Sequence, residues 1–183
     1  AYRERAVRYA LEHGQLEGLM LRAGVGIYPH QAGDFRPSDI DRLQTLIDTN
    51  RRVIAAVGEV GLDYCCDTVP PIKQLEALEA LIQLSLDNAL PLSLHVRSGE
   101  YGDAFADFWA LLGNFPHGVS GVVHSFTDSQ ANLEQVRVFF SGENLLTFTK
   151  LKGMFDPEGV FTQNDYNKER SEDHTSELQS PRD

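Results

Sequence analysis

Residues 53–64 read VIAAVGEVGLDY, an apolar run followed by two acidic residues, Glu59 and Asp63. The run 53–57 is apolar and rich in β-branched residues, which predicts a buried strand. From about 71 to 88, leucines recur at helical spacing and indicate an amphipathic helix. The stretch therefore predicts one strand–helix unit, with Glu59 just beyond the strand and Asp63 in the loop that follows.

The same alternation of strand and helix is found on both sides of this unit. Short apolar strands between amphipathic helices are typical of a parallel sheet with helical crossovers, so we predict an α/β fold. Both a doubly wound sheet and a closed barrel fit this alternation, and the positions of the polar residues favour the barrel. The predicted segments are helix 3–11, strand 19–27, helix 37–50, strand 91–96, helix 103–112, strand 118–123, helix 129–138 and strand 144–148.

Residues of the kind that bind metal ions follow three successive strands. Glu59, His95 and His124 are separated by 36 and 29 residues, close to the ~31 residues per unit of a barrel of ~250 residues. Either histidine alone reads more readily as a hydrogen-bonded core residue, but the shared register favours ligands. Because the carboxyl ends of barrel strands share one face, we expect the three side chains to converge on a divalent cation such as zinc or manganese.

Three segments around these residues resemble, in order, the signature segments of TatD-type deoxyribonucleases. They are VGEVGLDY at 57–64, LHVR at 94–97 and GVVHSF at 121–126, and GIYPH at 26–30 resembles an earlier segment. The resemblance implies a TIM-type (β/α) barrel with two divalent metal ions (Mg, Mn or Zn), in which Glu59 bridges the ions and His95 and His124 bind one of them. Two such ions, roughly 3.5–4 Å apart, activate a water and stabilise the leaving oxygen of a phosphodiester. The implied activity is exonuclease-like hydrolysis of DNA.

Three further residues are candidates for the site. Asp63 is a candidate catalytic residue that would orient a ligand or the attacking water, or else it stabilises the turn beside Tyr64. Arg97 points the same way as His95 if its strand continues that far, and it would then clamp a phosphate; the alternative is a salt bridge at the rim. For His30, the resemblance implies a contact to the substrate or to a metal ligand.

Other functions fit the same ligands. One is a D-aminoacyl-tRNA deacylase or another amidohydrolase-like enzyme that cleaves esters or amides, and another is a noncatalytic barrel remnant. The formal net charge of −11 argues mildly against long duplex DNA as the substrate. The expected partner is DNA or another phosphodiester, and we infer no obligate protein partner.

The resemblance also sets expectations for the extent of the barrel. The family's His-x-His strand and barrel-end aspartate are not recognised, so we expect about five of eight strand–helix units within residues 1–163, and a poor catalyst from this chain by itself. Residues 164–183 are almost wholly polar and are expected to be disordered, and 170–180 resemble a translated sequencing adapter. No apolar run approaches the ~20 residues of a membrane span. Together with the neighbouring, unbridged Cys65 and Cys66, this favours the cytoplasm and no contact with a membrane.

Overall fold

Four strand–helix units make up the part of the chain that carries the candidate site. The computed structural model describes residues 2–16, 19–65, 69–115 and 118–140, all within one compact unit of residues 1–145. The predicted strand at 144–148, Cys66 and the tail at 164–183 lie outside the described residues. In chain order the elements are α1 (Tyr2–Glu12), β1 (Gln15–Leu16), β2 (Leu19–Met20), β3 (Ala23–Val25), a 3-10 helix (Pro29–Asp34), α2 (Pro37–Asn50), β4 (Ile54–Asp63), α3 (Pro71–Asp87), β5 (Leu92–Arg97), α4 (Ala104–Leu112), β6 (Gly121–Val123) and α5 (Gln130–Phe139).

The strands β3, β4, β5 and β6 form one sheet, in chain order and with every neighbouring pair parallel. Each crossover between neighbours contains a helix, as parallel pairing requires. The predicted α/β class with parallel strands is therefore confirmed. Four of the five predicted strand–helix units fall within the described residues.

Local signals account for where the helices begin. Pro37 occupies the first turn of α2, and the Asp39 carboxylate accepts a hydrogen bond of 3.0 Å from the Arg36 N–H. Asp103 caps α4 by accepting from the Ala106 N–H at 3.0 Å, and the Ser129 hydroxyl caps α5. Such caps are readable from the sequence, which is why the predicted and observed starts agree. None of the helices in the described part of the chain combines the length and apolar character needed to cross a bilayer.

Two predicted strands differ from those observed. The strand predicted at 19–27 is divided, because the Leu21 N–H bonds to the Gly14 carbonyl whereas the Ala23 N–H bonds to the Val53 carbonyl. The chain thus changes partner between β2 and β3. The strand predicted at 53–57 is longer than expected: β4 continues to Asp63 because β5 pairs with it along that length. Glu59 and Asp63 therefore lie within the strand rather than beyond it.

The two faces of β5 differ in character. Leu92, Leu94 and Val96 are buried in the apolar core, whereas Ser93 and His95 are half-buried and Arg97 is exposed. This alternation follows from the period of two along a strand. The second set forms the polar face on which the candidate site is built.

We predict that Gly61→Ala destabilises the fold. Gly61 has a φ of +143°, and a Cβ there would lie 1.8 Å from the His95 carbonyl oxygen, which forces β4 and β5 apart. The expected loss in the free energy of unfolding is about 2 kcal/mol or more, measured by urea denaturation. Gly33→Ala is the control, because a Cβ at Gly33 would meet only ordinary contacts at 3.5 Å and beyond. Equal stability of the two variants would contradict the prediction.

Candidate metal centre

Glu59 lies at an irregularity in the pairing of β4 with β5. Gly58 pairs with Ser93 and Val60 with Leu94, so Glu59 is the extra residue of a bulge. A bulge changes the direction of a side chain relative to a regular strand. The Glu59 side chain is 37% exposed and lies beside His95 of β5 and His124, the residue that directly follows β6.

The three predicted ligands are brought together. Glu59, His95 and His124 each offer one ligand atom, and these atoms lie within 4.8 Å of one another. Glu59 Oε1 is 3.1 Å from His124 Nε2 and 3.6 Å from His95 Nδ1. Carboxylate oxygen and imidazole nitrogen bind zinc at about 2.0–2.2 Å, so small side-chain rotations would bring all three atoms to one ion.

His95 is held from its other ring nitrogen by Asp63. The distance from His95 Nε2 to Asp63 Oδ2 is 2.9 Å, and the carboxylate there can only accept. With the proton on Nε2, the lone pair of His95 is on Nδ1, the atom that faces Glu59. A carboxylate behind a histidine in this way fixes the tautomer of a metal-binding imidazole.

His124 presents a ring nitrogen that lacks a hydrogen bond. Its Nδ1 lies 3.2 Å from the Ser125 hydroxyl, and Ser125 has the left-handed backbone φ of +49°. The Nε2 atom is buried and has no hydrogen-bond partner among the described residues. Glu59 Oε1 lies 3.1 Å from it, but the two atoms are not aligned as a hydrogen bond. A buried, unsatisfied nitrogen beside a carboxylate fits a metal ligand.

Asp63 is almost fully buried at 2% exposure, and it is charged. Burial alone would raise the pKa of its carboxyl group. The hydrogen bond from the Cys65 N–H at 3.0 Å, the hydrogen bond from His95 and the nearby imidazoles of His95 and His30 together outweigh burial, so the pKa of Asp63 lies below its ordinary value. The site therefore holds an ionised carboxylate that can orient His95 at neutral pH.

His30 approaches this carboxylate, and Arg97 lies opposite Asp63 on the neighbouring strand. His30 Nε2 is 3.3 Å from Asp63 Oδ2, is buried, and makes no hydrogen bond within the described ranges. The Tyr28 ring contacts both imidazoles, with ring centroids 4.9 Å from His30 and 5.7 Å from His95. Arg97 is exposed, follows His95 on the same face of β5, and is paired in register with Asp63. Their roles in binding a substrate stay predictions.

Gln74 belongs to the same network and was not predicted from the sequence. It is 1% exposed, and its side-chain amide bonds to both the N–H and the carbonyl of Asp63, at 2.7 and 3.0 Å. The sequence does contain a signal: Gln74 lies four residues before Leu78, on the apolar face of α3. A glutamine in such a position must find partners in the core.

The fold and the site define an α/β protein with a carboxylate–histidine group at the carboxyl ends of parallel strands. Residues 3–156 match the model of the family described as TatD related DNase. The chain belongs to this family.

Relatives of known sequence or structure agree with this family. The 3'-5' ssDNA/RNA exonuclease TatD of Erwinia billingiae is 31% identical over 132 residues, which cover 68% of this chain and 48% of that protein. Two crystal structures, of a TatD homologue from Escherichia coli and of a TatD family hydrolase from Entamoeba histolytica, are each 24% identical with a TM-score of 0.62. Each match covers 73% of this chain, and 48% and 44% of those proteins. The chain thus spans about half the length of these relatives.

We predict that Asp63→Asn weakens zinc binding. The amide can donate to His95 Nε2, which shifts the imidazole proton to Nδ1 and removes the lone pair from the cation position. Loss of such a partner typically lowers metal affinity 10- to 100-fold, measured here by isothermal titration calorimetry. Asp87→Asn, at an exposed aspartate of α3 that accepts a bond from Gln83, is the control. If Asp63→Asn bound zinc as tightly as the control, the role of the carboxylate would be limited to its hydrogen bond with the Cys65 N–H.

Proposed function

We propose that this chain carries the cation-binding part of a metal-dependent hydrolase that cleaves phosphodiester bonds in nucleic acid. The observation that carries the proposal is the grouping of Glu59, His95 and His124, with ligand atoms within 4.8 Å and a buried His124 nitrogen to which no described residue hydrogen-bonds. The family and the names of the relatives support nucleic acid as the substrate class.

The chain's own residues would prepare the site for this chemistry. Glu59 would hold a cation through its carboxylate, and His95 and His124 through ring nitrogens. Asp63 keeps the proton of His95 on Nε2, which leaves Nδ1 available. When bound, divalent cations supply the positive charge that lowers the pKa of an attacking water and stabilises the leaving oxygen. The number of ions, two, and their identity as Mg, Mn or Zn belong to the proposal.

The charge of the chain bears on the form of the nucleic acid. A net charge of −11 repels a polyanion, so affinity for a phosphate would have to arise locally, at the cation and at the exposed Arg97. This favours single strands or strand ends over long duplexes. The relatives named above give no support to the ester or amide hydrolase alternatives. Cytoplasmic location stays a prediction of the sequence.

The assay is hydrolysis of a 5′-labelled single-stranded DNA oligonucleotide by this protein. We expect shortened products with Mg²⁺, Mn²⁺ or Zn²⁺ and none with a chelator. Glu59→Gln is expected to lower the rate roughly a hundredfold or more, because the variant loses the carboxylate that holds the cation.

The matched control is Glu76→Gln, at an exposed glutamate of α3 that pairs with Lys73 at 2.6 Å. It removes one carboxylate of the same type without touching the site, so its rate should equal that of the unmodified protein. Hydrolysis that persists in the chelator, or that Glu59→Gln leaves intact, would overturn the proposed function.

Arg97 provides a second prediction about the substrate. Its position two residues after His95 on one strand face suits a contact to a substrate phosphate. We expect Arg97→Ala to raise KM for the oligonucleotide about tenfold while the bound cation is retained, as measured by steady-state kinetics and metal analysis. Lost cation with an unchanged KM would show that Arg97 instead supports the ligands.

A further inference from the structure

Gln74 is the most deeply buried polar residue beside the candidate site. It extends from the first turns of α3 and is 1% exposed on the largely apolar buried face of that helix. Its Nε2 donates to the carbonyls of Asp63 at 3.0 Å and Val69 at 2.9 Å, and its Oε1 accepts from the Asp63 N–H at 2.7 Å. The amide thus uses both donors and one acceptor on backbone groups alone.

The end of β4 needs such a partner. On one side β5 pairs as far as Arg97, whose carbonyl accepts from the Tyr64 N–H at 2.8 Å. On the other side the pairing with β3 ends at Val57. The N–H and carbonyl of Asp63 therefore lack a strand partner in the described part of the chain, and the Gln74 amide takes the place of that strand. Without it, two buried backbone groups would be unsatisfied.

We propose that Gln74 is a positioning residue of the cation site and acts on His95 through Asp63. By fixing the backbone of Asp63, the amide directs its carboxylate to His95 Nε2 at 2.9 Å, which in turn leaves Nδ1 facing Glu59 at 3.6 Å. This inference rests on the proposed function, because it takes the group of Glu59, His95 and His124 to be the cation site.

The role requires an amide and not merely a side chain of this size. Glutamate at position 74 would place a carboxylate against the carbonyl oxygens of Asp63 and Val69, where only a donor is accommodated. Methionine would fill the volume but satisfy neither carbonyl. Methionine and glutamate are both close to glutamine in size, and they differ from each other in charge. Both variants should therefore lose the hydrogen bonds that hold the Asp63 backbone.

The test is zinc affinity of the full chain, measured by calorimetry. Gln74→Met and Gln74→Glu are expected to weaken zinc binding 10- to 100-fold. The control is Gln83→Met, at an exposed glutamine of the same helix whose side chain bonds to Asp87 at 2.7 Å, away from the site, and its affinity should be unchanged. In an Asp63→Asn background, Gln74→Met should cause no further loss, because both changes break the same connection.

The outcomes separate this inference from the proposed function. Zinc binding that survives Glu59→Gln would overturn the cation site and this inference with it. Zinc binding lost in Glu59→Gln but unchanged in both Gln74 variants, or a Gln74→Met loss that adds fully to that of Asp63→Asn, would overturn only the role of Gln74. If Gln74→Met does not fold, Gln74→Glu and its combination with Asp63→Asn decide the question by the same criteria.

Discussion

The pairing of β4 with β5 determines how the candidate site is assembled. It runs from Val57 opposite Leu92 to Asp63 opposite Arg97, with a bulge at Glu59. One strand therefore places a carboxylate on each side of the His95 ring: Glu59 near Nδ1 and Asp63 at Nε2. Gly61 permits this approach, because any side chain there would meet the His95 backbone. The orientation of His95 thus depends on the register of two neighbouring strands.

Much of the fold could be predicted because its signals are local. Helix α2 was predicted at 37–50 and is observed there, since Pro37 and the apolar spacing of Leu43 and Ile47 specify both its start and its buried face. The length of β4 could not be predicted in this way. The part of β4 from Gly58 onward contains two glycines, Gly58 and Gly61, which disfavour strands, and it is held extended by hydrogen bonds to β5, a partner distant in sequence.

The grouping of Glu59, His95 and His124 was predictable because parallel strands deliver their carboxyl ends to one face. The details around this group were not. Asp63 was predicted in a loop, whereas it ends β4, is buried and bonds to His95. The part played by Gln74 depends on backbone groups left unpaired where β3 ends, and no sequence pattern reports an unpaired carbonyl. Tertiary hydrogen bonding, rather than residue type, therefore sets the finer geometry.

Three side chains, of Glu59 in β4, His95 in β5 and His124 directly after β6, are proposed to form one cation site. The most direct test is anomalous diffraction at the zinc edge from crystals of the chain soaked in Zn²⁺. We expect a peak about 2.0–2.2 Å from a Glu59 oxygen, His95 Nδ1 and His124 Nε2, with the Asp63 contact to His95 Nε2 retained. Zinc bound elsewhere, with the three side chains left in contact only with one another, would contradict it.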